Sequence, residues 1–257
     1  MSFSGLDPTG GAGIQADIET LASHGCHTCP IATTLTVQDT RDVQRIQPVD
    51  SSMLIEQARA VLEDITVSAF KLGLLGSTLI VESIHSIIKD YPDVPVILDP
   101  VLASGAGTTL SDNEVIEAMI SLLLPITTVI TPNAQEARAL APEADNLSAC
   151  AMAILEHGCE FVLITGTHED TPDVINTLYG NNRKLETFNW ERLAESYHGS
   201  GCTLAASIAG LLAQGNEPLS AIHEAQEYTW ESLKHGYRIG MGQPLPNRLF
   251  WATQHEK

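Results

Sequence analysis

Two kinds of apolar run alternate along this chain. Short blocks are apolar over nearly consecutive positions: Pro30 to Val37 (PIATTLTV), Ala69 to Gly73, Val94 to Leu98 (VPVIL), Thr127 to Ile130 and Phe161 to Thr165 (FVLIT). Longer segments at 14–24, 52–64, 78–90, 111–123, 134–141, 147–157, 203–214 and 218–235 have the character of helices, with apolar residues at helical spacing. Strands that are apolar throughout, rather than on every second residue, predict a mainly parallel sheet covered by helices on both faces. A short first strand is expected at Ser2 to Ser4, so close to Met1 that the true start could lie upstream or the chain could be trimmed. Residues 170–197 break the rhythm. There Thr177-Leu178-Tyr179-Gly180-Asn181-Asn182, followed by Leu185-Glu186-Thr187-Phe188, reads as a β-hairpin with an Asn-rich turn. No repeat or linker interrupts the pattern, so residues 1–257 read as one α/β domain.

Ligands of such sheets bind beyond the carboxyl ends of the strands. The unusual Gly and polar clusters fall at those ends: Asp7 to Gly13, Gln38-Asp39, Gly73, Asp99-Pro100, Asn133 and Gly166. That coincidence locates a site.

Composition narrows what the site can do. A net charge of −19, from 13 basic and 32 acidic residues, argues against nucleic acid or an anionic membrane as partner. No apolar run approaches the roughly 18 residues that span a bilayer, and the N-terminus lacks a signal-type pattern; a cytoplasmic protein is expected. Five scattered cysteines do not suggest a disulfide framework. Cys26-His27-Thr28-Cys29 has redox-motif spacing, but no second pair completes a zinc site, and structural thiols are the simpler reading.

Three segments carry candidate chemistry. Gly5-Leu6-Asp7-Pro8-Thr9-Gly10-Gly11-Ala12-Gly13 opens a helix after a strand. It fails as a P-loop, because Gly11 and Ala12 stand where Lys and Ser/Thr are needed. Gly11 to Ala16 does match the dinucleotide fingerprint G-x-G-x-x-G/A, and Asp39 stands near the distance of a ribose contact, so an NAD-dependent oxidoreductase is a rival reading. His198-Gly199-Ser200-Gly201-Cys202-Thr203 also opens a helix, whose free N–H groups and dipole favour an anion. The same helix start would stabilise a Cys202 thiolate, which admits a nucleophilic hydrolase or acyltransferase. In Thr131-Pro132-Asn133-Ala134-Gln135-Glu136, Asn133 and Glu136 share a helix face; they suit Mg²⁺ through water, or else form a capping box. Asp99, at another strand end, is a further metal or phosphate candidate, or simply a turn residue.

In combination these segments resemble the hydroxymethylpyrimidine/phosphomethylpyrimidine kinase family of thiamine biosynthesis, in the ribokinase-like superfamily. The likeness rests on G-x-D-P-[ST]-G-G-A-G-I-Q-A-D at Gly5 to Asp17, V-Q-D-T at Val37 to Thr40, and K-L-G-L-L at Lys71 to Leu75. It continues with D-P-V at Asp99 to Val101, T-P-N-x-x-E-A at Thr131 to Ala137, and H-G-S-G-C-T at His198 to Thr203. Each motif is weak alone, but all six occur in family order.

The resemblance implies a ribokinase-like three-layer α/β/α sandwich. It also implies ATP- and Mg²⁺-dependent phosphorylation of 4-amino-5-hydroxymethyl-2-methylpyrimidine and of its monophosphate. By the same resemblance Gly5, Asp7, Ala12, Gln38, Leu74 and Val101 bind the pyrimidine. Gly199, Ser200, Gly201 and Cys202 form the anion hole, with Cys202 where related sugar kinases carry an Asp base. Thr165, Gly166 and Thr203 contact ATP, while Asn133, Glu136 and Asp99 organise Mg²⁺. A homodimer is implied too. A pyridoxal or other B6-vitamer kinase and a non-catalytic ligand-binding module are the neighbouring alternatives. Two family lysines are absent: Leu102 to Gly107 has none, and a Lys-Gly-Gly-His run is replaced by Thr165-Gly166-Thr167-His168.

Overall fold

The computed structural model describes residues 1–105, 107–167, 169 and 171–253; Ala106 and His168 of the two lysine-lacking segments lie outside them. Nine strands form one sheet. Its parallel part is built from β1 (Ser2–Leu6), β2 (Pro30–Gln38), β4 (Phe70–Leu72), β5 (Val96–Leu98), β6 (Val129–Ile130) and β7 (Phe161–Ile164). Antiparallel strands β3 (Val43–Pro48), β8 (Asp173–Gly180) and β9 (Arg183–Glu191) complete the order β3-β2-β1-β4-β5-β6-β7-β8-β9.

Helices cover both faces, which is why the central strands do not alternate in polarity. On one side lie α2 (Ser51–Asp64), α3 (Thr78–Ile88), α4 (Asn113–Ala118), α5 (Ala134–Leu140) and α6 (Leu147–Glu156). Their Leu54, Ile80, Val115, Leu140 and Ile154 form one core with Phe3, Phe70, Leu98 and Val162. On the other lie α1 (Gly13–Ser23), α7 (Ser200–Ala213) and α8 (Pro218–Lys234), whose Leu21, Ile208 and Ile222 meet Ile97, Val129 and Leu163. Strands β5, β6 and β7 therefore send neighbouring residues into different cores, as with Leu98 into the first and Ile97 into the second.

Two differences from the sequence pattern stand out. Strand β3 was not expected. Its residues, Val-Gln-Arg-Ile-Gln-Pro, are mostly polar because it lies at the sheet edge with only Val43 buried. The helix expected over 111–123 is α4 followed by a π-helical turn at Met119–Leu123. The hairpin was foreseen, and its turn residues Asn181 and Asn182 both adopt positive φ (51° and 54°), as a tight I′ turn requires.

From β1 the chain builds toward β2; from β4 it builds toward β5. The change of direction opens a crevice at the carboxyl ends of β1 and β4. All five cysteines are free, Cys26 partly buried and Cys29 buried, so the C-x-x-C pair forms no disulfide. Among the described residues, no helix is long and apolar enough to cross a membrane.

Candidate active site

A cavity of about 520 Å³ runs over the carboxyl ends of the parallel strands. It gathers residues that are remote in sequence. Gly5, Asp7, Ala12, Gln38, Leu74 and Val101 line one region; Gly199, Ser200, Gly201 and Cys202 line the wall; Asp99, Asn133, Glu136 and Thr165 also border it. Two expected ligand contacts, Gly166 and Thr203, are not among its lining residues. Thr203 is fully buried behind the turn: its Oγ1 donates to Gly199 O at 2.8 Å and accepts from Arg248 Nε at 2.9 Å. Gly166 packs on β8, where its N–H donates to Asn176 Oδ1 and a Cβ would fall 2.2 Å from Ile175 O.

The first glycine turn is organised by Asp7, which is 5% exposed. Oδ1 accepts from Thr9 N at 2.8 Å, and Oδ2 accepts from Thr9 Oγ1 and Ala12 N, both at 2.9 Å. The remaining contact is to His198 Nε2 at 2.7 Å. Burial would raise the Asp7 pKa, but the hydrogen bonds from His198 and Thr9 outweigh it and hold the carboxyl below its usual value. The Gln38 amide lies 3.3 Å from the same His198 nitrogen. His198 is thus a site residue that sequence reasoning missed. Its main partner lies 191 residues away, where no local motif could point to it.

The second turn starts α7. Gly199 is the N-cap with φ +84°, and no side chain caps the helix. A Cβ there would lie 1.9 Å from Gly11 O, so the two glycine turns touch at this point. Thr203 N already bonds to Gly199 O. The N–H groups of Ser200, Gly201 and Cys202 lie in the first turn of an α-helix, where no intrahelical carbonyl reaches them. Free N–H groups and the helix dipole together favour an anion at such a place.

Behind this turn is a buried charged cluster. Lys71 Nζ lies 2.9 Å from Asp17 Oδ1 and donates to Ser4 Oγ at 3.1 Å. Asp17 Oδ2 accepts from Ser2 Oγ at 2.5 Å and Ser4 Oγ at 2.6 Å. Burial acts to lower the Lys71 pKa, yet Asp17, Cys202 and Asp99 together leave it raised. Asp99, 5% exposed, is pushed up by burial and by Asp17 despite Lys71. Cys202 does not behave as the helix-start argument expected. Burial, and the charges of Asp99 and Asp17 against that of Lys71, push its thiol up to about 12, so at neutral pH it is a thiol.

Asn133 and Glu136 form the capping box of α5. Asn133 Oδ1 accepts from Gln135 N (2.8 Å) and Glu136 N (2.9 Å), and Glu136 Oε2 accepts from Asn133 N (2.8 Å). Burial and the charge of Asp99 push Glu136 up to about 8. Two buried oxygens nearby, Asp99 Oδ2 and Thr131 Oγ1, have no hydrogen-bond partner among the described residues. No group of three or more His, Cys, Asp or Glu is arranged to hold a metal directly among those residues.

Other lining residues carry no motif. Trp190 Nε1 and Asn176 Nδ2 donate to Gln226 Oε1 at 3.2 and 2.9 Å, and Trp230 and Leu204 complete an apolar end. Over the Gln38 end, Ser104 and Thr108 donate to Asp42 at 2.7 and 2.6 Å, fastening a short flap to the β2–β3 turn. Asp39, the residue of the NAD reading, is consumed in that turn by Arg41 and by Asp42 N.

Comparison with known proteins agrees with this geometry. The family model described as phosphomethylpyrimidine kinase matches residues 7–247. The hydroxymethylpyrimidine/phosphomethylpyrimidine kinase of Mycobacterium tuberculosis (strain CDC 1551 / Oshkosh) is 35% identical, covering 97% of this chain and 93% of that one. The Staphylococcus aureus (strain MSSA476) enzyme of that name is 30% identical over 99% and 94%. Among solved structures, Bacillus subtilis pyridoxal kinase in an ADP complex superposes with TM-score 0.90 at 27% identity, covering 98% of each chain. Phosphomethylpyrimidine kinase from Clostridium difficile 630 gives 0.77 at 31%, covering 89% of this chain and 96% of that one. The fold is ribokinase-like, and the NAD oxidoreductase reading is set aside. The chain belongs to the phosphomethylpyrimidine kinase family, and it is a phosphotransferase.

Proposed function

We propose that the protein transfers the γ-phosphoryl group of ATP to the hydroxymethyl oxygen of 4-amino-5-hydroxymethyl-2-methylpyrimidine, and then to the resulting monophosphate, in thiamine biosynthesis. One observation above all supports this: the uncapped start of α7 opens into the same cavity as Gln38. An amide both donates and accepts, which matches the amine and ring nitrogen at one edge of an aminopyrimidine. Leu74 and Val101 would flank the ring, and Gly5 and Ala12 would let it approach the backbone. Asp7 would hold the turn and His198.

The N–H groups at the Gly199–Cys202 turn would receive the transferring phosphoryl group and stabilise its charge. Cys202, as a thiol, would contribute shape and a weak donor. A loose transition state asks little of a base before the new bond forms. Thr165 would meet the phosphates and the Trp190–Trp230 end the purine. Magnesium, when bound, neutralises phosphate charge. The partnerless oxygens of Asp99 and Thr131 suit its hydration shell. Asn133 and Glu136, occupied by their capping box, would reach it through water.

The enzyme would act in the cytoplasm as one domain per chain. The exposed apolar Leu6, Leu35 and Val37 beside β2 form the surface that a homodimer would cover. A second reading, phosphorylation of pyridoxal, is favoured by the 0.90 superposition on a pyridoxal kinase. Incubation with ATP, Mg²⁺ and each alcohol, following ADP release, separates the two. Faster turnover of pyridoxal would overturn the pyrimidine assignment.

A further inference from the structure

Among the described residues only two basic side chains are buried, Lys71 and Arg248. Lys71 is committed to Asp17, and the second has no place in any motif. Arg248 is 2% exposed and lies on the segment that follows α8. That segment is pinned from three sides: His198 N donates to Pro244 O (3.0 Å), Asn247 N to Ser232 O (2.9 Å), and Tyr228 Oη to Arg248 O (2.7 Å).

The guanidinium ends at the junction of the two glycine turns. Nη2 donates to Gly11 O at 2.5 Å, Nε to Thr203 Oγ1 at 2.9 Å, and Nη1 to Glu19 Oε2 at 3.0 Å. A Cβ on Gly199 would come within 2.9 Å of Nη2, so the charge sits directly behind the residue that starts α7. One planar fork thus grips the Gly5–Gly13 turn, the first turn of α7 and α1, a geometry an ammonium cannot reproduce.

We propose that Arg248 is a positioning residue for phosphoryl transfer, its guanidinium, charge-balanced by Glu19, holding the two glycine turns in register. The proposal rests on the kinase reading above, and deepens it.

The test compares wild type, Arg248→Ala and Arg248→Lys for kcat, KM, thermal melting, and affinity for AMP-PCP by calorimetry. In folded Arg248→Ala, kcat is expected to fall about 10- to 100-fold and AMP-PCP affinity about tenfold, with the pyrimidine KM changed by less than about threefold. Lysine recovers part of the loss, and added guanidinium ion restores Arg248→Ala several-fold where methylammonium does not. Unchanged kcat and AMP-PCP affinity overturn the proposal. So does a loss that tracks only the folded fraction and ignores guanidinium. If Arg248→Ala does not fold, Thr203→Val, which deletes the Nε contact alone on the Arg248 side, carries the same readouts: weakened AMP-PCP binding supports the role and unchanged binding overturns it. If wild type binds AMP-PCP but phosphorylates no pyrimidine, the kinase assignment fails, while the AMP-PCP comparison still decides for or against Arg248.

Discussion

Replacing Gln38 by leucine removes the amide and keeps much of the side-chain volume. Gln38 lines the cavity with its amide 3.3 Å from His198 Nε2, so one polar end is supported by protein and the rest faces the ligand region. Against an aminopyrimidine edge it would make up to two hydrogen bonds. At about 0.5–1.5 kcal/mol each, their loss amounts to roughly 1–3 kcal/mol, or about 5- to 150-fold. The contact exists before and during transfer, so the loss should fall on KM, with kcat changed much less. Pyridoxal presents a ring nitrogen without an adjacent amine, so its KM should move less. A coupled assay of ADP release at saturating ATP, run on both alcohols, reads this directly. An unchanged pyrimidine KM, or an equal rise for both substrates, would refute the assignment of Gln38 to the aminopyrimidine edge.

Three further outcomes are expected. Cys202, with its pKa pushed up to about 12, should be alkylated by iodoacetamide at pH 7.5 about a thousandfold more slowly than a free thiol; modification at the free-thiol rate, located by mass spectrometry, would contradict the raised pKa. Gly199→Ala puts a Cβ 1.9 Å from Gly11 O at a positive φ, so the turn must open, and kcat should fall by about 100-fold or more; near-normal turnover would show that the junction of the turns is dispensable. Glu136 has a folded pKa of about 8 against an ordinary 4.5, so the folded state binds its proton more tightly, and stability is lost as pH rises from about 4.5 to about 8. Glu136→Gln should flatten that decline by roughly 2–4 kcal/mol in denaturant melts, and parallel curves for the two proteins would count against it.

The layers and the rim of the site were legible because they rest on local signals. Fully apolar strands announce a doubly covered sheet, and Gly-rich turns at strand ends announce where backbone meets ligand. Strand β3 was not legible, since an edge strand needs no apolar face. Neither was the pairing of His198 with Asp7, because nothing in a spacing links residues 191 apart. Arg248, Trp190 and Gln226 were missed for the same reason: their roles come from tertiary contact. The Asn133/Glu136 pair shows a different limit. Both the metal and the capping readings were consistent with the spacing, and the capping hydrogen bonds are what the structure forms. The Cys202 expectation failed because a helix start was weighed without the burial and the neighbouring carboxylates that oppose it.

The most direct measurement is ADP release from ATP and Mg²⁺ with the purified chain, offered 4-amino-5-hydroxymethyl-2-methylpyrimidine, its monophosphate and pyridoxal in parallel. The pyrimidine alcohol and its monophosphate should both be turned over well above background, the alcohol with a higher kcat/KM than pyridoxal. A folded protein that releases no ADP with either pyrimidine would contradict the central claim.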